Sequence, residues 1–201
     1  MRKGVDHLRR ADTVLAQVIE SVGPFRMTFR PPEFETLARS IVYQQLSGKA
    51  AGTIFGRLEA ACGRGGVKPG AVLKLSMEQL RALGLSTQKA SYVRDLAERT
   101  AKRQLRFERL PMMSDEEVIE TLTEVKGVGV WTAQMFLMFA LKRPDVLPVA
   151  DLGIRNAIRN VYGLETAPAA AEVERIAQPW RPWATVACWY LWRSLDNEAA
   201  I

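Results

Sequence analysis

The chain has 201 residues, of which 48% are apolar and 25% charged, and it carries a formal net charge of +6. These values are typical of one or two globular domains with a sizeable core, and the basic balance suits a polyanionic partner. Two cysteines, Cys62 and Cys188, and a single histidine, His7, exclude a zinc ribbon, a cysteine-ligated iron–sulfur cluster and a histidine-rich metal site. No run of about 18 apolar residues and no signal-peptide pattern is present. We therefore expect a cytoplasmic protein without a membrane partner.

Apolar residues recur at three- and four-residue spacing along most of the chain, which predicts helices. Ser114 and Glu117 form a capping-box pattern at the start of one helix, and Asp151 can cap another. No segment alternates with period two for long enough to form a sheet, so the predicted fold class is all-α. The pattern and its Gly and Pro breaks give helices at residues 8–22, 34–45, 49–62, 76–83, 87–103, 115–124, 131–141, 151–162, 172–177 and 183–195.

Residues 125–130 combine two glycines, one residue apart, with the start of a helix. Glycines allow a sharp turn and close approach to another surface, and the unpaired N–H groups at the helix start suit a phosphate. The alternative is an ordinary corner between two helices, in which the glycines only permit tight packing. The candidate phosphate-binding residues are Lys126, Gly127, Gly129, Val130 and Thr132. The backbone carbonyls of Thr123, Val125 and Val128 could in addition hold a monovalent cation, Na⁺ or K⁺. A similar helix–turn–helix pattern occurs at residues 80–90.

Residues 122–154 closely resemble the helix–hairpin–helix (HhH-GPD) DNA glycosylase superfamily. Residues 122–133 match its hairpin, and residues 143–154 match the extended segment that presents a catalytic Asp. Within the superfamily the chain is most similar to the alkylation-repair branch of DNA-3-methyladenine glycosylase II, with further matches in residues 40–47, 84–90 and 180–192. Members commonly carry two consecutive Asp residues where this chain has Ala150 and Asp151. The second Asp, which is the catalytic one, is kept.

The resemblance implies two helical subdomains with the active-site cleft between them. We expect residues 31–147 to form the central subdomain, with the helix–hairpin–helix at about 122–141. Residues 1–30 and 148–201 form the second. Asp151 is the expected catalytic residue, because a carboxylate beside C1′ stabilises the positive charge that develops on the sugar. Pro148 stiffens the approach to it. A simple helix N-cap is the alternative role.

The substrate base must leave the helical stack to reach this carboxylate. Electron-rich aromatic faces attract a positively charged alkylated base, and the expected base pocket comprises Trp131, Trp192, Met135 and Tyr43. The neighbouring Trp183, Trp189 and Tyr190 are assigned to the core. The expected DNA plug loop comprises Gln44, Gln45, Leu46 and Ser47. Leu46 is the apolar wedge that fills the gap, with Gln44 bonding near the lesion. A buried Leu that closes a turn is the alternative.

The resemblance therefore implies a monofunctional DNA glycosylase that hydrolytically excises alkylated purines, such as 3-methyladenine and 7-methylguanine, in base excision repair. The expected partner is double-stranded DNA, so the protein would be associated with the nucleoid if its source is bacterial. The expected state is a monomer, and no cofactor is required, although the hairpin could hold Na⁺ or K⁺. Strand-cleaving members carry a nucleophilic lysine two residues after the second hairpin glycine, where this chain has Trp131. We therefore expect no lyase activity. The alternatives are a glycosylase for other damaged bases and a non-catalytic helix–hairpin–helix DNA-binding module.

Overall fold

The computed structural model describes residues 2–195, and the regular secondary structure in that range is helical, without a strand. The all-α prediction is confirmed. Short 3₁₀ helices occur at Gly63–Gly65, Phe107–Met112 and Gln178–Trp180. The α-helices are α1 (Arg2–Ala11), α2 (Thr13–Val22), α3 (Phe34–Tyr43), α4 (Gly48–Cys62), α5 (Pro69–Leu73), α6 (Met77–Ala82), α7 (Thr87–Ala101), α8 (Asp115–Thr123), α9 (Val130–Phe139), α10 (Leu152–Tyr162), α11 (Ala170–Ala177) and α12 (Ala184–Ser194).

The first predicted helix is in fact two helices, which meet at Asp12. The Asp12 backbone is extended (φ −146°, ψ 111°), and its carboxylate caps α2 by accepting the Leu15 N–H over 3.0 Å. The second carboxylate oxygen accepts the indole N–H of Trp180 over 2.8 Å and the hydroxyl of Tyr162. Burial, together with the hydrogen bond to Asp12 and its negative charge, raises the pKa of Tyr162 far above its usual value. Asp12 therefore ties the α1–α2 junction to the end of α10 and to the 3₁₀ helix 178–180.

The chain divides into two compact units. The terminal unit contains the residues up to Phe29 and those from Lys142 onward, and the central unit is Arg30–Leu141. Arg30, which the sequence assigns to the second subdomain, thus belongs to the central unit, where its N–H donates to the Phe139 carbonyl over 3.0 Å. Residues 142–147 belong with the chain ends and not with the central subdomain to which the sequence assigns them. The cause is Thr185 of α12, whose N–H and hydroxyl donate to the carbonyls of Pro144 and Arg143, 3.0 and 2.7 Å away. Residues 1 and 196–201, also expected in the second subdomain, lie outside the described residues.

The core of the terminal unit forms where α12 packs against α2 and α10. Helix α12 is buried from Ala184 to Leu191, which fixes the direction in which its last turn emerges. Trp189 and Tyr190 lie in this core, as predicted, with 6% and 1% of their surfaces exposed. Trp183 is half-buried and covers Gly4, where an added Cβ would lie 2.8 Å from the indole ring.

In the central unit, α7 packs against α3 and α5, and α8 packs against α9. The Ser114–Glu117 capping box that begins α8 has both of its hydrogen bonds. Helix α5, which sequence periodicity misses, begins with Pro69 and has only five residues. Among residues 2–195, none of the helices is both long and apolar enough to cross a bilayer.

Candidate functional site

Asp151 lies at the start of α10, at the end of the Pro-containing extended segment. A turn in which the Asp151 N–H donates to the Pro148 carbonyl (2.9 Å) brings it to the N-cap position. Its Oδ1 atom accepts the Ile154 N–H over 2.7 Å, and the residue is 9% exposed. The predicted cap is therefore present, with the negative charge at the positive end of the α10 dipole. Capping does not exclude catalysis, because both roles use the same oriented carboxylate.

The Asp151 carboxylate has a second donor, Trp192, at the end of α12. The indole N–H donates to the same Oδ1 atom over 3.0 Å. Gly153 makes room for this pair, since a Cβ there would lie 3.0 Å from Oδ1 and 3.1 Å from Trp192 Cδ1. Sequence reasoning assigns Trp192 only an aromatic wall and misses this bond. A hydrogen bond thus connects Trp192 directly to Asp151.

Cys188, one turn before Trp192, is fully buried. Burial raises its pKa, and the negative charge of Asp151 raises it further, so the thiol stays protonated and is a poor nucleophile. Cys188 is therefore not a candidate reactive group in this part of the terminal unit.

Helix α7 contacts the hairpin between α8 and α9 and holds it in place. Asp95 accepts the Lys126 N–H and the Arg99 Nε–H, each over 3.0 Å. Gly127 has φ +78°, and a Cβ there would lie 2.1 Å from the Tyr92 ring. Gly129 has φ −95°, and a Cβ there would meet nothing within 4 Å. The two glycines thus differ, because the first is required by the turn and its packing, whereas the second faces open space.

The hairpin presents several donors to that open space. Within residues 2–195, the backbone N–H groups of Gly127, Gly129 and Val130 have no acceptor in the chain. The Lys126 side chain is 65% exposed, with Nζ 3.9 Å from Asp95 Oδ1. Thr132 is 5% exposed, so its hydroxyl faces the protein interior. Of the carbonyls proposed for a cation, that of Val125 already accepts the Val128 N–H over 3.0 Å. The Thr123 hydroxyl donates to the carbonyls of Ile119 and Glu120, 2.8 and 3.0 Å away.

The plug loop, residues 44–47, joins α3 to α4. Gln45 adopts a left-handed backbone conformation (φ +56°), and Ser47 caps α4 by accepting the Ala50 N–H. Leu46 is 40% exposed, so the alternative of a buried Leu closing the turn is wrong. The Gln44 amide donates to the Gly127 carbonyl over 2.9 Å, which attaches the loop to the hairpin.

The remaining pocket candidates lie in the central unit. Trp131 is 47% exposed in the first turn of α9, and Met135, one turn further along, is half-buried. The Tyr43 ring lies 4.2 Å from the Arg39 guanidinium carbon, and its hydroxyl accepts a hydrogen bond from Arg39. Tyr43 is thus held by its own helix, whereas Trp131 offers a large aromatic surface to solvent. Among residues 2–195, no three His, Cys, Asp or Glu side chains cluster closely enough to bind a metal ion.

Solved structures similar to this chain include two glycosylases of alkylated DNA. The 3-methyladenine DNA glycosylase of Schizosaccharomyces pombe, in complex with abasic DNA, is 34% identical and superposes with a TM-score of 0.86 over 99% of both chains. The DNA-3-methyladenine glycosidase of Bacillus halodurans is 38% identical, with a TM-score of 0.85, over 96% of this chain and 89% of that one.

A curated relative agrees with these structures. DNA-3-methyladenine glycosylase 1 of Schizosaccharomyces pombe is 34% identical over 96% of this chain and 87% of its own length. A family model described as "HhH-GPD superfamily base excision DNA repair protein" matches residues 38–182, a range that includes the plug loop, the hairpin and Asp151. The chain therefore belongs to the HhH-GPD superfamily of base excision DNA repair proteins.

Proposed function

We propose that this chain is a monofunctional DNA glycosylase that extrudes alkylated purines from double-stranded DNA and hydrolyses their N-glycosyl bond. The observation that carries the proposal is the Asp151 carboxylate, oriented by the Ile154 and Trp192 N–H groups in a chain similar over most of its length to 3-methyladenine glycosylases. Its substrates are bases of the 3-methyladenine and 7-methylguanine type. The protein acts as a monomer and needs no cofactor.

The Asp151 carboxylate supplies the chemistry. As the C1′–N bond breaks, its electron pair leaves with the base and positive charge develops on the sugar. The carboxylate stabilises this charge, and its orientation is set before the reaction, which lowers the cost of reorganisation. A water molecule then forms a bond to C1′ and loses a proton, which the carboxylate can accept. The products are the free base and an intact abasic site.

Selectivity for alkylated purines follows because the proposed mechanism has no general acid to protonate the leaving base. A base that already carries positive charge leaves as a neutral molecule, so no acid is needed to protonate it. His7, the single histidine of the sequence, is hydrogen-bonded to the Pro179 carbonyl over 2.9 Å, far along the chain from the hairpin. We propose that the exposed Trp131 face attracts the cationic base, with Met135, Tyr43 and Trp192 as further pocket residues.

The absence of lyase activity is part of the proposal. Trp131 lies two residues after Gly129, and an indole cannot form a Schiff base with C1′. Lys126 lies before the first glycine, and its Nζ faces Asp95. The abasic site therefore remains unbroken after base release.

DNA binding is proposed for the hairpin and the plug loop. The N–H groups of Gly127, Gly129 and Val130, together with Lys126, bind a backbone phosphate, and the Thr132 backbone adds to the same site. Leu46 fills the gap in the duplex. The carbonyls of Thr123, Val125 and Val128 are the proposed ligands of Na⁺ or K⁺, since a carbonyl that accepts one hydrogen bond keeps a second lone pair.

The test is to incubate the protein with duplex DNA treated with dimethyl sulfate and to identify the released bases by mass spectrometry. Release of 3-methyladenine and 7-methylguanine supports the proposal. Release of 8-oxoguanine, and not of methylated purines, from matched duplexes would point to a glycosylase for oxidised bases. Tight DNA binding without release of any base would point to a non-catalytic binding module. Gel analysis without alkali or heat tests for strand cleavage.

A further inference from the structure

The plug loop is fixed by an ammonium group that has no part in the proposed catalysis or phosphate binding. Lys89 Nζ donates to the carbonyls of Val42 and Gln44, 2.8 and 2.5 Å away. These carbonyls are at the end of α3, where the helix leaves its last acceptors without intrahelical partners. A positive charge at this end is also favourable for the α3 dipole.

Lys89 occupies a position in its own helix at which a lysine is unfavourable. Lys89 is the third residue of α7, and its backbone N–H donates to the Ser86 capping hydroxyl. A positive charge in the first turn of a helix opposes the helix dipole, so this position favours an acidic residue. Partial burial also disfavours the charged form and lowers the Lys89 pKa. Both costs are offset by the two carbonyls at the end of α3.

Gln44 continues the connection to the hairpin. Its carbonyl accepts from Lys89, while its amide nitrogen donates to the Gly127 carbonyl over 2.9 Å and lies 3.4 Å from the Thr132 hydroxyl. A continuous chain of hydrogen bonds thus runs from α7 through the plug loop to the hairpin. All of these residues lie in the central unit.

The plug loop needs such restraints to keep its shape. Gln45 adopts a left-handed conformation that non-glycine residues rarely adopt, and such conformations persist where surrounding contacts determine them. Leu46 follows directly and is 40% exposed. A wedge side chain that unstacks a base step must keep its position against the stacked bases of the duplex. If the loop that carries it were unrestrained, the loop would be displaced and the base would stay in the stack.

We propose that Lys89 is a positioning residue for base extrusion, which acts through Gln44 to hold the Leu46 wedge in a fixed place relative to the phosphate-binding hairpin. This inference rests on the proposed function. It differs from a direct role in DNA binding, because two of the three ammonium N–H donors are already used by carbonyls of the chain.

The test measures extrusion and chemistry separately. The extrusion step is followed through insertion of the Leu46 wedge, which changes 2-aminopurine fluorescence in a duplex with the probe next to a tetrahydrofuran abasic analogue. Chemistry is followed by single-turnover release of 7-methylguanine. We expect Lys89→Met to reduce both the wedge-dependent fluorescence change and the release rate, the rate by about tenfold. Lys89→Arg should restore the rate to within about threefold, since a guanidinium can donate to both carbonyls.

The matched control is Lys102→Met, which removes the same charge at the exposed far end of α7, roughly 20 Å away along the helix. It should leave extrusion and release unchanged. Gln44→Met breaks the same chain of hydrogen bonds at its other end and should reproduce the loss. It also provides the test if Lys89→Met does not fold, as judged by thermal melting.

A double variant distinguishes positioning from direct contact. In the Leu46→Ala background, Lys89→Met should cost no more than about twofold, because the wedge through which it acts is already absent. Fully additive losses would overturn the proposal. So would a decrease of about one in the slope of log affinity against log salt for undamaged duplex, since that change marks a lost phosphate contact.

The two proposals fail in different ways. If wild-type protein releases no methylated base, the proposed function is wrong, but the fluorescence measurement needs no bond breaking and still tests Lys89. If wild-type protein releases bases and Lys89→Met extrudes them as well as wild type does, the Lys89 proposal alone is wrong. A wild-type protein that gives no fluorescence change would also overturn it.

Discussion

The indole N–H of Trp192 and the backbone N–H of Ile154 donate to the same atom, Oδ1 of Asp151, over 3.0 and 2.7 Å. Two donors on one oxygen fix the plane of the carboxylate and its distance from α10. Trp192 is 41 residues away in the sequence, on a helix buried along most of its length, so the rigidity of the terminal-unit core is transmitted to the Asp151 carboxylate. Trp192 therefore orients Asp151 in addition to any contact its ring makes with the base.

Replacement of Trp192 by Phe separates these two roles. Phe keeps an aromatic face but removes the N–H donor, and a hydrogen bond to a charged group contributes about 1.5–3 kcal/mol. We expect single-turnover base release to fall by at least about tenfold, with little change in affinity for abasic-analogue DNA. Trp189→Phe is the control, because Trp189 lies in the core of the same helix and should affect only thermal stability. Full activity in Trp192→Phe would show that only the aromatic face matters.

The two hairpin glycines should respond differently to substitution. Gly127→Ala places a methyl group against the Tyr92 ring at positive φ, and we expect a loss of about 2 kcal/mol or more in the free energy of unfolding. Gly129→Val directs its side chain into open space next to the Val130 N–H. It should leave urea unfolding nearly unchanged and weaken binding to damaged and undamaged duplex alike, by about tenfold.

Affinity measured against salt concentration, for both variants and both duplexes, provides the check. An unchanged affinity in a folded Gly129→Val protein would mean that the hairpin is only a tight corner between α8 and α9.

Asp12 should be important for stability alone. Asp12→Ala removes the α2 cap and leaves the buried Trp180 indole and the Tyr162 hydroxyl without their acceptor. We expect a loss of about 3 kcal/mol in the free energy of unfolding, measured with urea. The exposed Asp6 on α1 is the control, and Asp6→Ala should change it by less than about 0.5 kcal/mol. Equal effects of the two substitutions would contradict the role assigned to Asp12.

Local sequence signals predicted part of this structure well. The Ser114–Glu117 capping box and the α10 start at Asp151 depend on hydrogen bonds within three residues, so they can be predicted from the sequence alone. The break at Asp12 could not be predicted, because the apolar spacing that continues along α2 already begins at Leu8, before the break. An Asp inside such a pattern is equally compatible with one continuous helix. Tertiary contacts to Trp180 and Tyr162 decide between the two.

The candidate site shows the same limit. The motifs predict a catalytic role for Asp151 and a base-pocket role for Trp131, whereas the Trp192–Asp151 and Gln44–Gly127 bonds join residues 41 and 83 positions apart. Lys89 carries no sequence signal for its contacts, since a lysine in the first turn of a helix is usually solvated. Its partners are backbone carbonyls, which have no side-chain pattern to recognise.

The central claim is that the Asp151 carboxylate stabilises the positive sugar in the transition state. Asp151→Asn keeps an oxygen that can accept the Ile154 and Trp192 N–H groups, so the fold and DNA binding should persist. Asp145→Asn is the control, because Asp145 also accepts a backbone N–H at a helix start, that of Ala184 on α12. In the Asp145→Asn variant the melting temperature can change, while the rate of base release by the folded protein should stay close to that of wild type.

The most direct measurement is the single-turnover rate of 7-methylguanine release by Asp151→Asn from a defined duplex, compared with its affinity for the same duplex carrying an abasic analogue. We expect the rate to fall by roughly a thousandfold, equivalent to about 4 kcal/mol of transition-state stabilisation, with affinity within about threefold of wild type. A rate within tenfold of wild type, at unchanged affinity, would contradict the assignment of Asp151 as the catalytic residue.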